Sequence, residues 1–189
     1  MSNLASPENR IVNLELTIEY GIVFCITGKE LTVAQRLERN IHGLRALSPV
    51  KLRYRRMGGI AQEEKVVLFP GYVFIKLTND ADMKDIQQDQ DVLRLLYTNL
   101  EEKDWHLTGQ DRAIAEEFFR IDGVIGFSKA YFDEGDRIHI IEGFLKDREG
   151  QIIRVNKRAK TAEICVWLAG KKMDLWLGFE KIQNSNRIS

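Results

Sequence analysis

The stretch Leu68-Phe69-Pro70-Gly71-Tyr72-Val73-Phe74-Ile75-Lys76-Leu77 decides how this chain folds, because after the Pro-Gly break its side chains alternate with the period of a strand. Tyr72 and Phe74 then share one face, and Val73, Ile75 and Leu77 share the other. The aliphatic face suits a core. The aromatic face offers large rings with a phenolic handle, a surface used both in ordinary interiors and where a protein grips a partner.

Upstream, residues 21–26 form a β-rich apolar run, and Thr27-Gly28-Lys29-Glu30 has the Thr-x-x-Glu form of a capping box. The helix that follows carries Val33, Ala34, Leu37 and Ile41 at helical spacing, with Lys29, Arg36, Glu38 and Arg39 on its wet side. Residues 50–56 alternate apolar and basic side chains, Gly58-Gly59 supplies a turn, and residues 66–77 return, which predicts a hairpin. Downstream, residues 82–90 suit a short helix and 92–97 a strand, and Thr108 is placed to cap a helix bearing Ile114, Phe118 and Phe119. The order β-α-β-β-α-β, then helix, is the split βαβ pattern of an α+β domain. Its antiparallel sheet carries helices on one face and leaves the other partly open.

The style of the chain changes at Asp122-Gly123-Val124-Ile125-Gly126-Phe127-Ser128, where glycines interrupt the helical pattern. From residue 133 onward only short β-type runs follow, at 137–141, 151–156, 162–168 and 173–177, separated by Gly143, Gly150 and Gly170. That pattern predicts a small five-stranded barrel or a similarly curled sheet. The expected organisation is a loose arm over 1–19, a first domain over 20–122, a linker over 123–132, a second domain over 133–183 and a tail over 184–189.

Composition narrows the function classes. With 44% apolar and 30% charged residues in 189, the chain can bury one good core or two small ones, and no run reaches the roughly 18 apolar residues of a membrane span. No secretory signal is legible in residues 1–20, so a soluble cytoplasmic monomer is expected. Cys25 and Cys165 lie far apart in apolar runs and read as small hydrophobes, and His42, His106 and His139 have no metal-ligand spacing, so neither a disulfide nor a metal or other cofactor is expected. No phosphate loop, nucleophile elbow or acid–base pair is legible, and an enzyme is not expected. The formal charge is zero, so nucleic-acid binding would have to come from local patches.

Segment 68–77, together with Glu134-Gly135-Asp136 through Gly150-Gln151-Ile152, resembles the NusG family of transcription elongation factors. The second stretch looks like the KOW motif, with its turn at Glu142-Gly143-Phe144 and its glycine at Gly150. The resemblance spans residues 20–183 and implies a ferredoxin-like NGN domain followed by an SH3-like KOW barrel. It implies that the first domain docks on the clamp helices of the large RNA polymerase subunit through an aromatic-lined depression, at Phe69, Tyr72 and Phe74, and suppresses pausing. The same rings could instead form an internal layer or pack on the helix after Thr108. Within the family the chain is most similar to the specialised paralogue LoaP, through segment 123–128, Ile140-Ile141-Glu142-Gly143 and Trp176-Leu177-Gly178-Phe179-Glu180. That similarity implies processive antitermination and recruitment by a leader RNA hairpin.

Between Lys146 and Lys172 eight basic residues face three acidic ones, a surplus of five in an otherwise neutral chain. Arg154, Lys157, Arg158, Lys160, Lys171 and Lys172 are the candidate RNA contacts, suited to a duplex read through phosphates and groove shape. A solvated turn of the same composition is the bland alternative. Arg53, Arg55 and Arg56, with Arg36 and Arg39, fit either a displaced DNA strand or nascent RNA, or a solvated face. Trp167 and Trp176 are expected in the barrel core rather than as base-stacking platforms. By the resemblance, the position before Gly170 is usually a bulky aromatic that helps to bind the termination factor Rho or a small-subunit ribosomal protein. Here it is Ala169, and losing such an anchor costs about 2 kcal/mol, which speaks against the alternative of a general factor coupling polymerase to Rho or the ribosome.

Overall fold

The computed structural model describes residues 17–78, 83–98 and 101–183. Most of the expected arm, all of the tail at 184–189 and the start of the short helix expected at 82 lie outside the described residues.

The first domain opens with β1 (Glu19–Cys25), α1 (Glu30–Asn40) and β2 (Leu44–Leu47), then the paired strands β3 (Val50–Met57) and β4 (Ile60–Val67). It continues with β5 (Tyr72–Leu77), α2 (Met83–Gln87), β6 (Val92–Leu95) and α3 (Gly109–Arg120). Four of these strands form an antiparallel sheet in the order β2-β5-β1-β6, the ferredoxin-like arrangement. β5 sorts its side chains as its alternation dictates. Val73, Ile75 and Leu77 pack with Val33, Ala34, Leu37 and Ile41 of α1 and with Ile86 of α2, whereas Tyr72 and Phe74 join Ile114, Ala115, Phe118 and Phe119 of α3.

Two expectations need correction. The hairpin partner of β3 is β4, in register from Val50↔Val67 to Met57↔Ile60, while β5 belongs to the other sheet between β2 and β1. The cause is local. Pro70 offers no amide donor, and Gly71 adopts φ +84 with its would-be Cβ 2.7 Å from the Phe24 ring, so the run 66–77 breaks into two strands. The second correction concerns the face expected to stay partly open. α3 covers it, Phe118 lying edge-on to Phe69 and Phe74 with centroids 5.8 and 5.2 Å away.

The segment read as a linker holds β7 (Val124–Ile125), parallel to β3, and β8 (Ser128–Phe132). β9 (Ile138–Glu142), a 3-10 turn (Lys146–Gln151), β10 (Ile152–Asn156), β11 (Thr161–Leu168) and β12 (Lys171–Lys181) follow. Five strands make the second domain in the order β10-β11-β12-β8-β9, with β12 and β8 parallel. Gly143 turns the chain after β9. At φ +97 its would-be Cβ sits 2.7 Å from both Cα and Oγ of Ser128, so no side chain fits there.

The two domains share one apolar cluster, running from Tyr20, Phe69 and Phe74 through Phe118 to Leu145, Ile164 and Phe179. At the seam, Phe144 stacks on Phe118 at 5.9 Å with the rings 8° from parallel, and the Arg148 guanidinium lies 4.1 Å from the Phe144 centroid. Arg148 also ion-pairs with Glu117 of α3. Along the other side of the seam β3 accompanies β12. Lys51 Nζ donates to the Trp176 carbonyl at 2.7 Å, Tyr54 stacks on Phe127 at 4.4 Å, and the Tyr54 hydroxyl donates to Glu180 at 3.1 Å. Burial pushes the Lys51 ammonium below its ordinary pKa.

Candidate interaction surfaces

The aromatic layer of the first domain is built by β5 and the turn before it. Phe69 packs on Phe74 at 5.8 Å, and both lie under Phe118, at 2% and 0% exposure. Tyr72, at 8%, meets Phe24 of β1 edge-on at 5.5 Å. Phe24 is half-buried, carries the Arg94 guanidinium 5.6 Å from its centroid, and forms the outer rim of the layer. Sequence reasoning missed Phe24. The signal was present, since in an antiparallel pair Phe24 falls opposite Tyr72, but only the register between β1 and β5 reveals it.

Glu30 holds this turn in place. Its carboxylate accepts from the Gly28 amide at 3.0 and 2.9 Å and from the Gly71 amide at 2.7 Å, tying the start of α1 to the Pro70-Gly71 turn. Burial raises the Glu30 pKa, but these amide bonds outweigh it and hold the carboxyl below its ordinary value. The capping box predicted at Thr27 to Glu30 is therefore realised in part. Glu30 reaches back to the backbone, but the helix starts at Glu30 itself and no side chain caps it. Thr108 likewise occupies the N-cap position of α3 without a side-chain bond. Burial, with Glu30 nearby, pushes the Cys25 thiol up to about 11, so it is no nucleophile at neutral pH.

The six candidate RNA contacts do not form one patch. Lys157, Arg158 and Lys160 project from the β10–β11 turn, and Arg154 just before it ion-pairs with Glu163 at 2.7 Å. Lys171 and Lys172 open β12 at the opposite end of β11. An eight-residue strand separates the two groups by roughly 23 Å at the usual rise. Lys157 is further engaged by Asp136 and by the Phe132 ring, its Nζ 4.6 Å from the centroid. On the first domain Arg53 and Arg55 both ion-pair with Glu64, at 2.8 and 3.5 Å.

The tryptophans also depart from expectation. β11 buries Ala162, Ile164, Val166 and Leu168, and β12 buries Leu175, Leu177 and Phe179. Strand alternation therefore sends Trp167 and Trp176 to the outer face, where Trp167 is 55% exposed and Trp176 is half-buried with Arg154 over its ring. The Ala169-Gly170 turn, left-handed at both residues, docks back on the first domain through a 2.9 Å bond from the Ala169 amide to Asp111. Among the described residues no group of three or more His, Cys, Asp or Glu side chains is arranged to hold a metal ion, and no helix is long and apolar enough to cross a membrane.

The chain thus joins an α+β domain with an aromatic layer to a small five-stranded β domain with basic turns. A family model described as transcription termination factor NusG matches residues 19–115, from β1 into α3. The chain belongs to the NusG family, whose members are transcription termination and antitermination factors rather than enzymes. The transcription termination/antitermination protein NusG of Synechocystis sp. (strain ATCC 27184 / PCC 6803 / Kazusa) is 24% identical over 178 residues, spanning 85% of this chain and 86% of that protein. A solved structure describing domain interaction in Thermotoga maritima NusG is similar with a TM-score of 0.47 at 16% identity, covering 86% of this chain and 94% of that one.

Proposed function

We propose that this chain is an elongation factor and processive antiterminator of the LoaP type. It docks on the clamp helices of the large RNA polymerase subunit through the layer of Phe69, Tyr72 and Phe74, suppresses pausing and termination, and is recruited by a leader RNA hairpin bound at the basic turn of the barrel. The observation that supports docking most is the half-buried Phe24 ring over Tyr72, inside the segment that the family model matches. Large aromatics at the rim of a rigid layer are the usual anchors of a helical partner. In this reading Phe24 and Tyr72 touch the polymerase, while Phe69 and Phe74 support them from below.

Pull-down of RNA polymerase by the full chain tests the docking. Phe24→Ala with Tyr72→Ala should lose the polymerase, and undiminished capture by a folded double variant would refute it. For RNA, a gel shift on leader hairpins should weaken when Lys157, Arg158 and Lys160 are changed to Glu, with a shallower salt dependence. An unchanged titration would count against RNA recruitment.

The second reading is a general NusG-type factor linking polymerase to Rho or the ribosome; the name of the Synechocystis relative, a transcription termination/antitermination protein, fits both readings. Ala169 supports the first reading over the second. Its methyl group offers little to such a partner, and its backbone is engaged with Asp111.

A further inference from the structure

Between the β10–β11 turn and the end of β12 lies a cavity of about 200 Å³, lined by Phe132, Asp136, Lys157, Lys160, Phe179 and Lys181. Two ammonium groups from separate segments lie over one ring, and Lys160 lines the same cavity. Lys157 Nζ is 4.6 Å and Lys181 Nζ 5.9 Å from the centroid of Phe132, which is half-buried and backed by the fully buried Phe179 at 5.9 Å. The turn is pinned to the strand behind it. Lys160 is left-handed at φ 53, and its carbonyl accepts from the Phe179 amide at 2.9 Å. Asp136, the one acid in the lining, holds Lys157 by an ion pair.

A merely solvated turn has no need of an aromatic floor, a concavity or a strand-pinned lysine. The volume is below the roughly 300–1,000 Å³ of a site for a free small molecule, so it suits a single planar group delivered by a larger partner. A planar, weakly polar ring attached to an anionic backbone is the chemistry of a nucleotide. Resting on the reading that the barrel binds RNA, we infer that this cavity takes one unpaired nucleotide of the RNA, its base against the Phe132 ring and its phosphates between Lys160 and Lys181. Asp136 releases Lys157 to the phosphates on binding. A paired duplex keeps its base faces stacked and cannot fill such a site, whereas a bulge or loop nucleotide can be splayed into it. The recognised element is therefore a defect in the hairpin rather than its stem, and Phe132 and Lys181 join the RNA-binding residues.

The test uses the full chain with two RNA hairpins of identical stem, one fully paired and one carrying a single bulged 2-aminopurine nucleotide. Wild-type protein should bind the bulged stem on the order of tenfold more tightly, with a change in 2-aminopurine fluorescence on binding. Phe132→Leu, checked for folding by thermal melting, should remove that preference and leave the paired stem unchanged. Lys181→Gln, at an exposed position that carries no folding risk, should weaken the bulged stem more than the paired one. Equal binding of both stems with unchanged fluorescence, or a Lys181→Gln variant with full preference for the bulge, would overturn the cavity and leave RNA binding by the barrel standing. Binding of neither stem would overturn both.

Discussion

Replacing Phe74 by Ala separates a core role from a docking role for the aromatic layer. The ring is fully buried, with Phe69 at 5.8 Å and Phe118 at 5.2 Å. Truncating a buried Phe costs about 3–5 kcal/mol through lost transfer energy and the cavity left behind. Two aromatic neighbours at T-shaped or tilted geometry place Phe74 at the upper end of that range. For a chain of this size each kcal/mol lowers the melting temperature by roughly 2–4 °C, so the expected fall is roughly 6–20 °C. Since domains are stable by only about 5–15 kcal/mol, Phe74→Ala would lose a large share of the total. Thermal melting by circular dichroism, with urea titration, measures this directly. Tyr72→Phe, which keeps the ring, should melt close to wild type. The reasoning fails if Phe74→Ala melts with the wild type and loses only polymerase binding, for that pattern belongs to an exposed anchor and not to a ring beneath Phe118.

Arg148→Ala and Glu117→Ala should each destabilise the closed arrangement of the two domains, with a coupling of about 1 kcal/mol or more in a double-mutant cycle on urea unfolding, because the pair is half-buried and stacked on Phe144; a coupling near zero would make it an incidental surface pair. Glu30 predicts a pH dependence. Its folded pKa lies below the ordinary 4.5, so its contribution is complete above that value and is lost as pH falls below it toward the depressed folded value. Glu30→Gln should therefore be less stable than wild type at neutral pH by about 1–3 kcal/mol, with the gap narrowing in acid. A gap independent of pH would contradict the assignment. Gly143→Ala should destabilise the barrel by more than 1 kcal/mol, since it adds both a left-handed strain and a clash with Ser128; a wild-type urea midpoint would refute it.

Much of the first domain was legible because its signals are local. Helical spacing in Val33, Ala34, Leu37 and Ile41 marked α1, and the alternation of Tyr72 to Leu77 told which residues face α1 and which do not. The short strand β2, only Leu44–Leu47, and the break at Pro70-Gly71 were not legible as such, so β3 was matched with the wrong partner. Pairing partners are chosen by contacts far apart in sequence, and an apolar run looks the same whether it makes one strand or two.

The sequence by itself determined that β5 has an aliphatic and an aromatic face, that a barrel follows a helix-bearing domain, and that a surplus of cations sits between Lys146 and Lys172. Only the tertiary structure decided what those features become. α3 and the barrel cover the aromatic face and leave Phe24 and Tyr72 as its rim, and β11 divides the cations between its two ends. Strand register turns Trp167 outward and brings Lys157, Lys160 and Lys181 around Phe132. Alternation is a property of neighbours along the chain, whereas register and the packing of one element on another are settled by residues that meet only once the chain has folded.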